Sequence, residues 1–362
     1  MPIIPAPADT LPLPLRPEGL SERWLTAALR QRRQDVTVTA MEIVDVILGT
    51  STKIRVRCRY DGPGSHDLPQ TLIIKGGFEE HSSNMGPMYA NEIRFYADIL
   101  PHITMPAPDC HFAGSDPGSH QSIVIMEDLK RPGIEFCSAL KPQSYDQVAR
   151  RIDAMAVFHA QTWNSREFEP GGRWEDIPGR FESWGLEFIR RFFVPEVWDH
   201  FMASPRGAAA SVLWHDKDWM ERALMTLGEL QKNQPVCMIH GDTHLGNLFI
   251  YEDGTPGFLD AQVARMPWHH EVSYHVVCAL DCANRARWEG PLLERYLAGL
   301  RRQGVDAPDF ESAWLDYRRS IAWGLFVFLT NPTKYQTESV NTAYAARFSI
   351  AALEHDLKRL LP

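Results

Sequence analysis

Apolar and polar residues alternate through the first third of the chain, and a period of about 3.6 takes over from about residue 130. Ser21 precedes a stretch in which Trp24, Leu25, Ala28 and Leu29 share one side, which predicts a short capped helix ending at Leu29. Val36 to Leu48 alternates as a half-buried strand does. After the small-residue segment Gly49-Thr50-Ser51-Thr52-Lys53 the alternation resumes over Ile54 to Tyr60, with Ile54, Val56 and Cys58 on one face and Arg55, Arg57 and Arg59 on the other. Asp61 to Gln70 is a Gly/Pro-rich connection, and Thr71 to Lys75 predicts a buried strand ending on a lysine. Ser82 to Leu100 contains a helix that carries Glu92 beside an apolar stripe of Ile93, Phe95, Tyr96, Ile99 and Leu100, and Pro101 to Pro108 breaks it. A further buried strand, Gln121 to Met126, closes on Glu127-Asp128-Leu129.

Beyond residue 130 the pattern predicts a mostly helical second half. Ser144 caps a helix running to Trp163, with Val148, Ile152, Met155 and Phe158 on its buried side and His159 as a structural residue. Phe181 to Met202, Trp214 to Gln231, Trp268 to Asn284, Leu292 to Arg302, Glu311 to Leu329 and Val340 to Leu361 read as further helices. No repeat or low-complexity array interrupts them.

Between these helices lies Val236 to Gln262, whose pattern is different: three short apolar runs, Val236–Ile239, Leu248–Tyr251 and Gly257–Leu259, each carry polar residues at their ends. The first delivers His240-Gly241-Asp242, the second follows Asn247, and the third ends at Asp260; pairing of the second and third as a hairpin would return Asp260 toward Asp242 and Asn247. Carboxylates and an amide held this way suit phosphoryl transfer, which needs a carboxylate to take the proton of a hydroxyl nucleophile and hard oxygen ligands for Mg²⁺ on the polyphosphate. The other reading of the same residues is that Asp242 and Asn247 shape a turn, Asp260 ends a strand and His240 is a core histidine.

His240-x-Asp242-x-x-x-x-Asn247 followed by Asp260 resembles the catalytic loop and metal-binding Asp of the protein-kinase-like fold. With Gly between His and Asp it is similar to the aminoglycoside phosphotransferase and choline kinase branch, and Asp260-Ala261-Gln262 is similar to the corresponding tripeptide of the ecdysteroid-kinase-like group. The resemblance implies an α+β, two-lobed fold: a lead over residues 1–20, a small N-terminal lobe with an antiparallel sheet plus a helix over 21–130, a hinge near 127–130, and a larger, mainly helical C-terminal lobe over 131–362. It implies that Asp242 is the catalytic base and that Asn247 and Asp260 hold Mg²⁺. Lys75 would grip the nucleotide phosphates and Glu92 would hold Lys75. Glu127 and Leu129 would seat the base of ATP, or of GTP in its place, and Thr50, Ser51 and Thr52 would cover the phosphates, although this turn has one glycine where such loops often have more. Glu271, after His269-His270, stands where an Asp commonly braces the catalytic loop, one carbon longer, and its reach is open.

Composition narrows the class without deciding it. The chain of 362 residues, 44% hydrophobic and 23% charged, is that of a globular enzyme, and its net charge of −9 argues against a nucleic-acid surface. Six cysteines show no framework of spacings, no apolar run is long enough to span a membrane, and the start lacks a secretory signal, so cytoplasmic residence is expected. His275, Cys278 and Cys282 would share a face of one continuous helix as a possible zinc site, with thiols packed in a core as the commoner alternative. Tryptophans other than Trp24 lie beyond the hinge and suit either a core or a substrate wall. The partner expected is a small-molecule hydroxyl compound, whether aminoglycoside-, choline- or steroid-alcohol-like, with no nucleic acid or membrane; the oligomeric state is not encoded legibly. The competing functions are a nucleotide-binding regulator without turnover and a metallophosphoesterase built on Asp242, His244, His269 and His270.

Overall fold

The computed structural model describes residues 11–79, 82, 85–141 and 143–362; the first ten positions of the proline-rich lead, and positions 83 and 84 of the expected Ser82 to Leu100 helical stretch, lie outside the described residues. Contacts divide the chain into two units. One takes the chain up to Ile103 together with Ala107–Ile134 and Asp260–Gln262, and the other takes Thr104–Pro106, Glu135–Leu259 and Val263–Pro362.

In the first unit, the Ser21 hydroxyl accepts the Trp24 N–H at 3.2 Å and starts α1 (Glu22–Arg30), whose Trp24, Leu25, Ala28 and Leu29 are buried as their spacing predicts. There follow β1 (Thr37–Ile47), β2 (Thr52–Asp61), β3 (Thr71–Gly76), α2 (Gly86–Arg94), β4 (Cys110–Asp116) and β5 (Gln121–Glu127). The strands form one antiparallel sheet in the order β1-β2-β3-β5-β4. Its core combines Trp24, Leu25 and Leu29 with Ile54, Val56, Leu72, Ile74, Phe112 and Ile125.

Three expectations change here. Thr52 and Lys53 belong to β2 rather than to the turn, pairing with Gly76 and Lys75, so the connection shrinks to Leu48–Ser51. The alternation of β1 buries Val38 alone of its residues, while Ile43, Val46 and Ile47 are exposed. The reason is position: β1 is an edge strand, and α1 meets it near its start, where Thr26 and Glu22 accept the N–H groups of Val38 and Met41. Finally, β4 was not predicted, because its Ala, Gly and Ser residues give no apolar alternation; it is held instead by its pairing with β5.

The second unit contains most of the helices. After β6 (Ile134–Phe136), which straddles the boundary, come α3 (Tyr145–Ala160), α4 (Ser183–Arg190), α5 (Pro195–Met202), α6 (Pro205–Ala209) and α7 (Lys217–Gln231). The short strands β7 (Cys237–Ile239), β8 (Leu248–Tyr251), β9 (Pro256–Phe258) and β10 (Ala264–Met266) precede α8 (His269–Ala279), α9 (Cys282–Arg302), α10 (Phe310–Thr330), α11 (Glu338–Glu354) and α12 (Leu357–Leu360). Ser144 and Gln147 cap α3 reciprocally, with the Ser144 hydroxyl taking the Gln147 N–H and the Gln147 side chain taking the Ser144 N–H.

Several predicted helices are divided. Phe181 to Met202 becomes α4 and α5 because Pro195, favoured as an opening residue, starts a new helix. Trp268 to Asn284 breaks at Leu280, which is extended, and Asp281 caps α9 by accepting the Asn284 N–H. That second helix continues through Pro291 and takes in the segment predicted over Leu292 to Arg302. At the far end, Asp356 adopts a left-handed φ of 51° and separates α11 from α12.

Candidate active site

In the second unit, β7 is completely buried and pairs antiparallel with β10, Ile239 opposite Ala264. The chain then turns at Gly241, whose φ of 89° favours glycine, and presents Asp242. Glu271, in the first turn of α8, fixes this turn: its two oxygens accept the N–H of His240 at 3.0 Å and of Gly241 at 2.7 Å. His159 Nε2 adds a third contact at 2.8 Å, and its Nδ1 meets the Tyr296 hydroxyl at 2.7 Å. Taking a carboxylate out of water costs several kcal/mol, and three hydrogen bonds to a charged group contribute roughly 1.5–3 kcal/mol each, enough to offset it. Burial pushes the Glu271 carboxyl up, but the hydrogen bond and charge of His159 with the Gly241 N–H carry it below the usual carboxylate range. Glu271 therefore reaches the loop, and His159 is structural, as expected.

Donors surround Asp242. Oδ1 accepts the Tyr274 hydroxyl at 3.0 Å; Oδ2 accepts Asn247 Nδ2 at 3.0 Å and lies 3.5 Å from His244 Nε2. Asn247 Nδ2 also donates to the Asp242 carbonyl at 3.0 Å, so the amide ties the loop to its own carboxylate. Burial, then the charge of Asp242, pushes the Tyr274 hydroxyl well above its usual range and keeps it a donor. Arg180 donates to the Gly241 carbonyl, stands 4.8 Å over the Trp323 ring and feels the charge of Asp242.

The expected hairpin is present: Leu248 pairs with Phe258, Phe249 with Gly257 and Ile250 with Pro256. Gly257 is required by close approach, since a Cβ there would lie 2.1 Å from the Phe249 ring. Leu259, one residue before Asp260, donates its N–H to the Asn247 carbonyl at 2.8 Å.

In the first unit, Lys75 is buried on β3, and its ammonium donates to Glu92 Oε1 at 2.7 Å and to Asp260 Oδ1 at 2.6 Å. Burial pushes this ammonium down, but two carboxylates each contribute on the order of 4 kcal/mol at an effective dielectric near 20, so its pKa rises instead. For Glu92 the balance differs: burial and Asp260 push its carboxyl up against the pull of Lys75, and the net is upward. Asp260 holds a left-handed φ of 56°, a strained value of the kind that gathers at functional sites.

The remaining predicted residues of this unit occupy the following places. Thr50 accepts the Tyr89 hydroxyl through its carbonyl, while Ser51 and Thr52 are buried, the Thr52 hydroxyl 3.5 Å from Glu79 Oε1. Glu127 ends β5 and accepts Arg131 Nη2 at 3.0 Å; Leu129 is buried two residues on. Between them Asp128 binds Arg55 Nε at 2.6 Å and the Lys130 N–H at 2.9 Å, pinning the segment to β2.

Sequence comparison matches residues 49–266, more than half of the chain, to the ecdysteroid kinase-like family. The chain belongs to the ecdysteroid kinase-like family. No curated protein matches it. Among solved structures it is similar to choline kinase from Cryptosporidium parvum Iowa II, at 11% identity over 95% of this chain and 92% of that one, with a TM-score of 0.51. It is also similar to the ethanolamine kinase of Plasmodium vivax, at 12% identity over 86% and 82% of the two chains, with a TM-score of 0.50. Those likenesses establish the kinase-like fold, and membership of the family makes this ecdysteroid kinase-like protein a small-molecule kinase, a phosphotransferase.

In this ecdysteroid kinase-like protein two groups that contact Asp242 or Gly241 were not read from the sequence. Tyr274 follows Glu271 by three residues on the same helix, a spacing that offered a signal; Arg180 sits in an irregular Pro-Gly-Arg segment that offered none. The zinc alignment fails because Cys282 opens α9 while His275 and Cys278 lie on α8, and His275 Nδ1 meets the Thr243 carbonyl at 2.9 Å. Among the described residues no three His, Cys, Asp or Glu side chains form a metal-holding group. His269 is engaged by Ser320 at 2.5 Å and Gln234 at 2.7 Å, which leaves the phosphoesterase reading without that ligand. Among the described residues no helix is long and apolar enough to cross a membrane.

Proposed function

We propose that this kinase transfers the γ-phosphate of ATP to a hydroxyl of a small lipophilic alcohol, with Asp242 accepting the hydroxyl proton. The observation that carries the nucleotide half of this reading is the Lys75 ammonium, buried and paired with Glu92, since a cation held charged in the interior suits a polyphosphate. Thr50 and Ser51, in the shortened connection before β2, would approach the phosphates, and the backbone at Glu127 and Leu129 would receive the base.

Magnesium would suit the chemistry of the two residues proposed to hold it. Asp260 offers a hard carboxylate, and Asn247, with its Nδ2 turned to Asp242, offers its amide oxygen; a magnesium site typically uses one or two carboxylates plus phosphates and water. When bound, the ion would neutralise phosphate charge. The protein's own part is positioning: Lys75 orients the phosphates and Asp242 aims the hydroxyl for in-line attack.

For the acceptor, the Arg180 guanidinium near Asp242 supports a neutral compound over a polycation, in keeping with the family's name. The test is ADP release across a panel of a steroid alcohol, choline and an aminoglycoside. The steroid alcohol should turn over best, and Asp242→Asn should lower its turnover roughly a hundredfold or more while ATP with Mg²⁺ still raises the melting temperature. Near-normal turnover of Asp242→Asn would reject the base, and choline or the aminoglycoside as best acceptor would reject the lipophilic class.

A further inference from the structure

The two carboxylate oxygens of Asp242 each accept one hydrogen bond, but they are unequally crowded. Oδ2 faces both Asn247 Nδ2 at 3.0 Å and His244 Nε2 at 3.5 Å, whereas Oδ1 faces the Tyr274 hydroxyl at 3.0 Å. An ionised carboxylate oxygen has about two acceptor sites, so Oδ1 keeps one site for an incoming hydroxyl.

The tyrosine that holds Oδ1 is itself held. Its side chain is buried, its ring stacks on Phe328 of α10 with centroids 5.5 Å apart and planes 18° apart, and Phe348 of α11 lies 6.0 Å away. It stands on α8 three residues after Glu271, which fixes the backbone of His240 and Gly241. One helix thus braces both the main chain that carries Asp242 and one oxygen of its carboxylate, while Asn247 holds the other.

We propose that Tyr274 is a positioning residue: its hydroxyl, anchored by aromatic packing, turns the Asp242 carboxylate so that Oδ1 receives the acceptor's proton. This rests on the reading of Asp242 as base. In the step it serves, the acceptor oxygen bonds the γ-phosphorus, the bond from that phosphorus to the β–γ bridging oxygen breaks and leaves ADP, and the hydroxyl proton passes to Oδ1. Misplacement of a reacting group by about 1 Å can cost a hundredfold in rate, which is why a single hydroxyl matters here.

Tyr274→Phe keeps the ring and removes the donor. Turnover is followed as ADP release from ATP with Mg²⁺, with water as the acceptor. The expected result is a kcat lowered roughly tenfold or more, with KM for ATP and the nucleotide-induced melting shift unchanged. In an Asp242→Asn background the same change should have no further effect. Unchanged kcat in Tyr274→Phe, or an equal loss in both backgrounds, overturns the proposal while leaving Asp242 as base; near-normal turnover in Asp242→Asn alone removes the base and the proposal with it. Should Tyr274→Phe fold poorly, Phe328→Leu, which loosens the ring but keeps the hydroxyl, should lower kcat with KM for ATP unchanged; an unaltered kcat there also overturns the proposal.

Discussion

Burial by itself would drive the proton from Lys75, and the two carboxylates within hydrogen-bond distance reverse that sign. Replacing Lys75 by Met should therefore destabilise the protein by about 3–5 kcal/mol, because Glu92 and Asp260 lose their shared counter-ion. Urea unfolding of Lys75→Met beside Glu92→Gln measures this, and a Lys75→Met loss no larger than that of Glu92→Gln would contradict it. Lys75 and Glu92 were legible as positions because each ends or lines an apolar pattern, while their pairing was implied by the resemblance to the kinase-like fold. The contact of Lys75 with Asp260 was not, since 185 residues separate the two and nothing local records it. Tyr274 differs, since its spacing from Glu271 on one helix is a local signal, but a tyrosine in an apolar helix reads as packing until its hydroxyl has a partner.

At the scale of elements, the hairpin of β8 and β9 was legible because Glu-Asp-Gly-Thr between two apolar runs is a turn with a mechanism. The strands β4 and β10 were not, being short and held by their partners rather than by their own pattern. Within the hairpin, Gly257→Ala would drive a Cβ into the Phe249 ring, and we expect a stability loss of about 1–3 kcal/mol, typical of overpacking, read as a lower urea midpoint. A midpoint equal to that of the parent would mean that the ring moves freely, contrary to its complete burial. The divided helices carry the same lesson: Leu280 and Asp356 break runs whose apolar period continues through them, so the break is set by capping and backbone conformation.

For the whole molecule, the interior of α8 links stability to pH. Burial holds His269 and His275 down to about 3, and burial, with His269 and Arg180 as neighbours, holds His270 well below its usual value. Folded, these imidazoles stay neutral; unfolded, they protonate below about 6.5, so the unfolded state binds more protons and stability falls as pH drops from there toward 3. Each contributes up to about 1.4 kcal/mol per pH unit in that window. Glu271 adds a later loss, because its lowered pKa contributes stability above the ordinary carboxylate value that disappears as pH falls through the folded one. Urea midpoints should therefore be clearly lower at pH 5.5 than at pH 7.5, and equal midpoints would show that these histidines are not buried in the neutral form. The fold was legible at this scale because the motifs appear in the order a kinase-like chain requires, and no single one of them would have been enough.

The arrangement around Lys75 also limits how such a chain can decay. Either acid can be lost singly, because the ammonium keeps the other as company. Loss of the ammonium first sets the buried Glu92 against the half-buried Asp260 with nothing between them. A descendant that abandons turnover but still folds is therefore expected to retain its lysine longest, and a surviving lysine alone is poor testimony that a relative is still an enzyme.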